Sequence, residues 1–136
     1  MMHLTRCIAL LALSLGATLA TAAETATVLI TGANRGIGLE YARQFEAKGY
    51  AVIGTARNPA EATELAALGV RVEALDVTDA ASVAALAKRL DGVPIDVLIN
   101  NAGIADRSES GIETTDLAMF ERTLAVNTLG PLRVTQ

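Results

Sequence analysis

From Thr25 onward, short unbroken apolar runs alternate with longer stretches whose apolar residues recur at helical spacing, a pattern that predicts βαβ units around a parallel sheet. Val28, Leu29 and Ile30 form the core of a first strand expected over 27–31, and their lack of alternation suits a strand covered by helices on both faces. Ile37, Tyr41 and Phe45 then recur every four positions along a helix that ends at Lys48-Gly49. A second strand is expected over 51–56. Asn58-Pro59 starts the next helix, with Asn58 as cap, Pro59 in the first turn and Glu61 completing a capping box, and Leu68-Gly69 closes it. Val70 to Leu75 reads as the third strand. Thr78-Asp79 caps a helix striped by Val83, Leu86 and Leu90, and Ile95 to Ile99 reads as the fourth strand. The last helix begins near Thr115-Asp116 with Leu117, Phe120 and Leu124 on one face, and Gly130-Pro131 is expected to disturb it before Gln136.

Connections are short and repeats are absent, so residues 25–136 read as one α/β domain. Right-handed crossovers put the strands in the order 3-2-1-4, a Rossmann-type three-layer αβα arrangement comprising one nucleotide-binding half and the first strand of the other. The sheet is expected to be truncated there. The outer edge of the fourth strand would then lie open, which favours pairing with another chain or a homo-oligomer.

The residues before this domain read differently. Arg6 precedes an almost unbroken run of Ala, Leu, Ile, Ser and Gly from Ile8 to Ala20, and Ala20-Thr21-Ala22 places small residues at a cleavage site. Residues 1–22 are expected to be a secretory signal peptide, which implies export to the periplasm or beyond; with a misassigned start the protein would be cytoplasmic. The run is shorter than the roughly 20 residues needed to cross a bilayer.

Processing would remove His3 and Cys7, the single histidine and single cysteine among 136 residues. No metal site built on those side chains and no Ser-His-Asp or Cys-His nucleophile is then expected. The formal net charge is −4, and Lys and Arg are scattered, so nucleic acid is not an expected partner. With 51% hydrophobic and 19% charged residues the composition suits a folded core.

Thr31-Gly32-Ala33-Asn34-Arg35-Gly36-Ile37-Gly38 joins the first strand to the first helix. In that context Gly32 permits a sharp turn, Gly36 lets backbone approach a pyrophosphate, and Gly38 permits close packing of the helix, whose N-terminus attracts the phosphates. The spacing Gly-x-x-x-Gly-x-Gly, with Asp76-Val77 after the third strand, Asn100-Asn101-Ala102-Gly103 after the fourth and Asn127 in the following helix, resembles the short-chain dehydrogenase/reductases over residues 27–136. The resemblance implies an NAD(P)-dependent oxidoreductase that reduces carbonyls or oxidises alcohols, with a small carbonyl or alcohol as substrate. The stretches around the glycine loop, Ala74-Leu75-Asp76-Val77-Thr78-Asp79 and Ile95 to Gly103 look most similar to the sniffer and C-factor-like carbonyl reductase branch.

By that resemblance Gly32, Arg35, Gly36, Ile37 and Gly38 line the phosphate site, Asp76 and the Val77 backbone hold the adenine, and Asn101, Ala102 and Gly103 run beside the nicotinamide ribose. A capping role for Asp76 is the rival reading, although Thr78 and Asp79 are expected to fill it. Asn100 is expected to be structural, tying the central strands together. Thr55-Ala56-Arg57 carries no acid for the ribose hydroxyls at the end of the second strand, whereas Arg57 and Arg35 suit a 2′-phosphate, so NADP is expected over NAD.

The family's Tyr-x-x-x-Lys proton-transfer pair is not formed by either of the two tyrosines: four residues beyond Tyr41 and Tyr50 stand Phe45 and Gly54. Of the implied catalytic group Asn127 alone can be carried over, in a supporting role. It continues the stripe of Leu117, Phe120 and Leu124 and is expected to face the interior, either in that role or as a core Asn bonded to backbone. The rival functional reading is a nucleotide-binding or interaction module without turnover.

Overall fold

The computed structural model describes residues 25–105 and 111–136; the expected signal peptide lies outside the described residues. Strands β1 (Thr27–Ile30), β2 (Ala51–Ala56), β3 (Arg71–Ala74) and β4 (Val97–Ile99) form a four-stranded sheet in the order β3-β2-β1-β4, with every pairing parallel. Val28 sits opposite Val52 on one side and Val97 on the other. Helices α1 (Gly36–Ala47), α2 (Thr63–Ala66), α3 (Ala80–Arg89), α4 (Leu117–Leu124) and α5 (Gly130–Thr135) complete the expected Rossmann-like architecture.

The unbroken apolar run of β1 serves two cores. Val28 and Ile30, fully buried, join Leu39, Ala42, Val52 and Leu65 beneath α1 and α2. Leu29 points to the opposite layer with Ile53, Leu75, Val77, Leu86 and Leu90. Burying each such large side chain contributes roughly 1.5–3 kcal/mol. Boundaries shift from expectation where side chains replace ladder bonds: β4 starts at Val97 because the Asp96 carboxylate accepts from Thr27 N at 2.7 Å while Asp96 N donates to Thr27 O at 3.0 Å.

Two helical expectations need correction. In α1 the buried face is Gly38, Leu39 and Ala42, whereas Ile37 and Tyr41 are exposed; only Phe45 of that expected stripe packs inward, edge-on to Tyr50 at 4.9 Å. The element after Asn58 is split at Ala62 into a 3-10 turn, Pro59–Glu61, and the short α2. Asn58 Oδ1 does accept from Ala60 N, but Glu61 bonds the Asn58 side-chain amide rather than its backbone. The disturbance expected at Gly130-Pro131 is present: the last helix is interrupted by a π turn at Ala125–Leu129 before α5. Pro131 lacks an N–H and its ring crowds the preceding turn, and a widened turn relieves both.

An ion-pair network ties β3 to the end of α3. Glu73, at 12% side-chain exposure, lies between Arg71 at 2.7 Å and Arg89 at 2.6 Å, and Arg89 also donates to Ala74 O. Burial pushes the Glu73 carboxyl up, but hydrogen bonds from Arg89 and Arg71 outweigh it and the net displacement is downward. A depressed carboxylate stabilises the fold fully above its ordinary value of 4.5 and loses that contribution as pH falls through the lower folded value. Glu73→Gln is therefore expected to lower stability at neutral pH by roughly 1–3 kcal/mol and to flatten the acid limb of a urea-midpoint-against-pH curve. An acid limb unchanged by the substitution would rule Glu73 out as its source.

Candidate functional site

The carboxyl ends of the parallel strands open into one cleft of about 1350 Å³. It is lined from one side to the other by the glycine loop after β1, Arg57 after β2, Asp76 and Val77 after β3, and Asn101, Ala102 and Gly103 after β4. Ligands of open α/β sheets bind at such a crevice, where strand order reverses between β1 and β4. All the expected binding residues thus meet in one place. Asn127 is not among the lining residues, nor is Tyr41 or Tyr50.

The glycine loop is held by two buried hydroxyls to which the sequence reading assigned no role. Thr31, 1% exposed, accepts from both Asn101 N and Ala102 N at 3.0 Å, and Thr55, also 1% exposed, accepts from Gly32 N at 3.3 Å. A Thr closing or interrupting an otherwise apolar buried strand is the signal that marks both. Gly32 has φ +64°, and a Cβ there would stand 2.9 Å from the Ala102 Cα. Gly38 leaves no room for a Cβ against the Asn101 amide and the Gly32 carbonyl. Gly36 has φ +58° and open space around it, so its missing side chain leaves backbone exposed to the cleft.

α1 enters this cradle without a side-chain cap. Its N-cap residue is Arg35, extended at φ −162°, with no capping hydrogen bond, whereas Asp79 caps α3 and Asp116 caps α4. The first-turn N–H groups of α1 are accordingly left for an anion, which the helix dipole also favours. Arg35 and Arg57 line the cleft beside it. Glu61 lines it too, with its carboxylate engaged by Asn58 at 2.6 Å.

Asp76 lines the cleft and does not take the rival capping role at α3. Its Oδ1 accepts from Thr78 Oγ1 at 2.6 Å and Thr78 N at 2.9 Å, forming a turn, so Thr78 serves Asp76 and only Asp79 caps α3. The Thr78 side-chain bond, then the Thr78 backbone bond, hold the Asp76 carboxyl below its ordinary value; burial opposes them less strongly, and Arg57 and then Arg122 add weaker attraction. Asp76 is thus an ionised acceptor at neutral pH.

Asn101, not Asn100, ties the loops together. Asn101 Nδ2 donates to Thr31 O at 2.9 Å and Gly32 O at 3.0 Å, while the exposed Asn100 reaches outward to Thr135 Oγ1 at 3.2 Å. Asn127 does not face the interior as expected. It is exposed, and its side-chain amide pairs reciprocally with the backbone of Ile104: Ile104 N donates to Oδ1 at 2.9 Å and Nδ2 donates to Ile104 O at 2.7 Å. Of the two readings left open, the structure displays the bond to backbone, and what it fixes is the chain just beyond Gly103.

A glycine cradle, an uncapped helix N-terminus and an acid at the end of β3 define a dinucleotide-binding α/β domain. The family model for short chain dehydrogenases matches residues 26–136, and the chain belongs to that family. It is 40% identical over 110 residues to 1-hydroxy-2-glutathionyl-2-methyl-3-butene dehydrogenase of Rhodococcus sp. (strain AD45), covering 79% of this chain and 47% of that one. It is 42% identical over 109 residues to galactitol 2-dehydrogenase of Agrobacterium fabrum, covering 76% and 42%. Among solved structures, a short-chain dehydrogenase/reductase from Burkholderia multivorans with bound NADP superimposes with a TM-score of 0.75 at 33% identity, covering 82% of this chain and 52% of that one. The 3-ketoacyl-(acyl-carrier-protein) reductase of Brucella melitensis complexed with NADH does so with a TM-score of 0.74 at 32% identity, covering 82% and 48%. The chain therefore spans less than half the length of these curated relatives.

Proposed function

We propose that this chain is the NADP-holding part of a short-chain dehydrogenase/reductase that interconverts a small carbonyl compound and its alcohol. The observation that carries the cofactor choice is the pair of arginines, Arg35 and Arg57, on the cleft rim where an acid would select NAD. Bound neighbours include both NADP and NADH, so the choice rests on these side chains. The residues fit the cofactor: the uncapped first turn of α1 and Gly36 receive the pyrophosphate, Asp76 and Val77 the adenine, and Asn101, Ala102 and Gly103 the nicotinamide ribose. Bound nicotinamide supplies or accepts the hydride. Asn127 holds the segment after Gly103 and so acts as a positioning residue. The branch that the loop sequences most resemble, the sniffer and C-factor-like carbonyl reductases, agrees with carbonyl reduction.

Calorimetric titration with NADP⁺ and NAD⁺ in parallel tests the cofactor choice. Tighter binding of NADP⁺ is expected, and Arg57→Ala is expected to weaken it by roughly 10–100-fold while leaving NAD⁺ nearly unchanged, the effect of losing charge-assisted bonds to a phosphate. Equal parental affinities would refute the preference.

Proton transfer is a separate matter, because the cleft-lining residues include no tyrosine: Tyr41 is exposed on α1 and Tyr50 packs on Phe45. The second reading is a nucleotide-binding module without turnover. Cofactor binding with no carbonyl-dependent NADPH oxidation supports it, and turnover by the chain itself excludes it. Export, proposed from the apolar N-terminal run, is tested by sequencing the mature N-terminus; an intact Met1 would overturn it.

A further inference from the structure

Three interlocking observations bring Arg122, which no motif of the sequence marks, into the same cleft as Asp76 and Val77. Arg122, Ala125 and Val126 stand three and four positions apart and all line the cleft, so they form one face of α4 and its continuation. Leu117, Phe120 and Leu124 lie on another face and are exposed. The helical segment that follows is seated against the end of β3: a Cβ on Gly130 would come within 2.9 Å of Val77 Cγ2, and Arg133 Nη1 donates to Val77 O at 3.4 Å. The contact that fixes Val77 therefore also fixes the helical segment that carries Arg122.

We infer that Arg122 forms the outer wall of the adenosine end of the cleft, its guanidinium stacking on the purine while Asp76 and Val77 bind the purine from the other side. This rests on the proposed dinucleotide-binding function and adds a specificity-determining residue to it. A planar guanidinium is suited to the task because it stacks on flat rings as an ammonium does not. Its charge also acts on the Asp76 carboxylate, which it helps keep ionised as an acceptor. Arg57 acts on the Asp76 carboxylate as well, but it and Arg35 are assigned to the phosphate, and the purine face is assigned to Arg122.

The test is calorimetric titration of the parent, Arg122→Met, Arg122→Lys and Arg57→Met chains with 5′-AMP, nicotinamide mononucleotide, NAD⁺ and NADP⁺, with urea midpoints measured alongside. Arg122→Met is expected to weaken 5′-AMP and both dinucleotides by about 5–30-fold, leave nicotinamide mononucleotide unchanged and keep the parental midpoint, since the residue is exposed. Arg122→Lys is expected to recover only part of the loss, and Arg57→Met to weaken NADP⁺ alone. Unchanged affinities in Arg122→Met, a loss confined to NADP⁺, or full recovery by Arg122→Lys would overturn the stacking role while the function stands. A parent chain that binds neither dinucleotide would overturn the function and this inference together.

Discussion

Gly32→Val is expected to destabilise the fold by about 2–5 kcal/mol, whereas Gly36→Ala costs only about 1–2 kcal/mol and removes dinucleotide binding. Both glycines have positive φ, +64° and +58°, so both substitutions carry the left-handed penalty of roughly 1–2 kcal/mol. They differ in what surrounds the new atoms. A Cβ on Gly32 meets the Ala102 Cα at 2.9 Å and its N at 3.3 Å, and those are backbone atoms pinned by Thr31. Neither side can yield without breaking the clasp between the loops after β1 and β4, so overpacking adds roughly 1–3 kcal/mol. The sum is a large part of the 5–15 kcal/mol that stabilises an ordinary domain. Around Gly36 nothing stands within 4 Å, and the new methyl projects into space that the cleft needs for a pyrophosphate. Urea unfolding followed by circular dichroism, paired with calorimetric titration of NADP⁺, separates the two effects. Parental affinity in Gly36→Ala would show that the pyrophosphate does not approach there, and a parental midpoint in Gly32→Val would show that the loops are not clasped as described.

The contrast between these glycines also marks how far the sequence could be read. The glycine spacing, Asp76 and the Asn-Asn-Ala-Gly turn located the cleft because a phosphate site demands bare backbone at fixed intervals, and that demand is local. Strand order was readable for a similar reason, since apolar runs and crossover handedness leave few topologies. Which side of an element faces inward was less accessible. Ile37 and Tyr41 keep the spacing of a buried stripe, yet the small residues Gly38 and Ala42 are what let α1 lie close on β1 and β2. Leu117, Phe120 and Leu124 likewise form a regular stripe that the described residues leave exposed, because burial depends on what packs from elsewhere in the fold. Arg122 gave no signal at all. Its importance comes from the seat of Gly130 on Val77, a contact between residues far apart in sequence.

Asn100 and Asn101 show the same limit at a single pair of neighbours, and Asn101→Asp is expected to cost roughly 3–5 kcal/mol where Asn100→Asp costs about 0.5 or less. Nothing in the sequence distinguishes two adjacent asparagines; the direction each side chain takes after β4 does. Asn101 Nδ2 donates to the carbonyls of Thr31 and Gly32, and a carboxylate oxygen in its place would face both carbonyl oxygens with no hydrogen to offer. Two acceptors left unsatisfied cost about 1–3 kcal/mol each, and the buried side of a charge adds to that. At position 100 the side chain is exposed and its partner is a hydroxyl, which can turn to donate to a carboxylate instead. Acidification gives the decisive readout. The carboxyl introduced at 101 is penalised when ionised, so its folded pKa lies above its unfolded one and protonation stabilises the folded state, restoring one donor. The urea midpoint of Asn101→Asp is therefore expected to approach the parent's as pH falls through that raised pKa, while the difference between Asn100→Asp and the parent stays small throughout. Equal losses in the two variants, or no recovery of Asn101→Asp on acidification, would mean that the amide at 101 does not bridge the loops that shape the cleft.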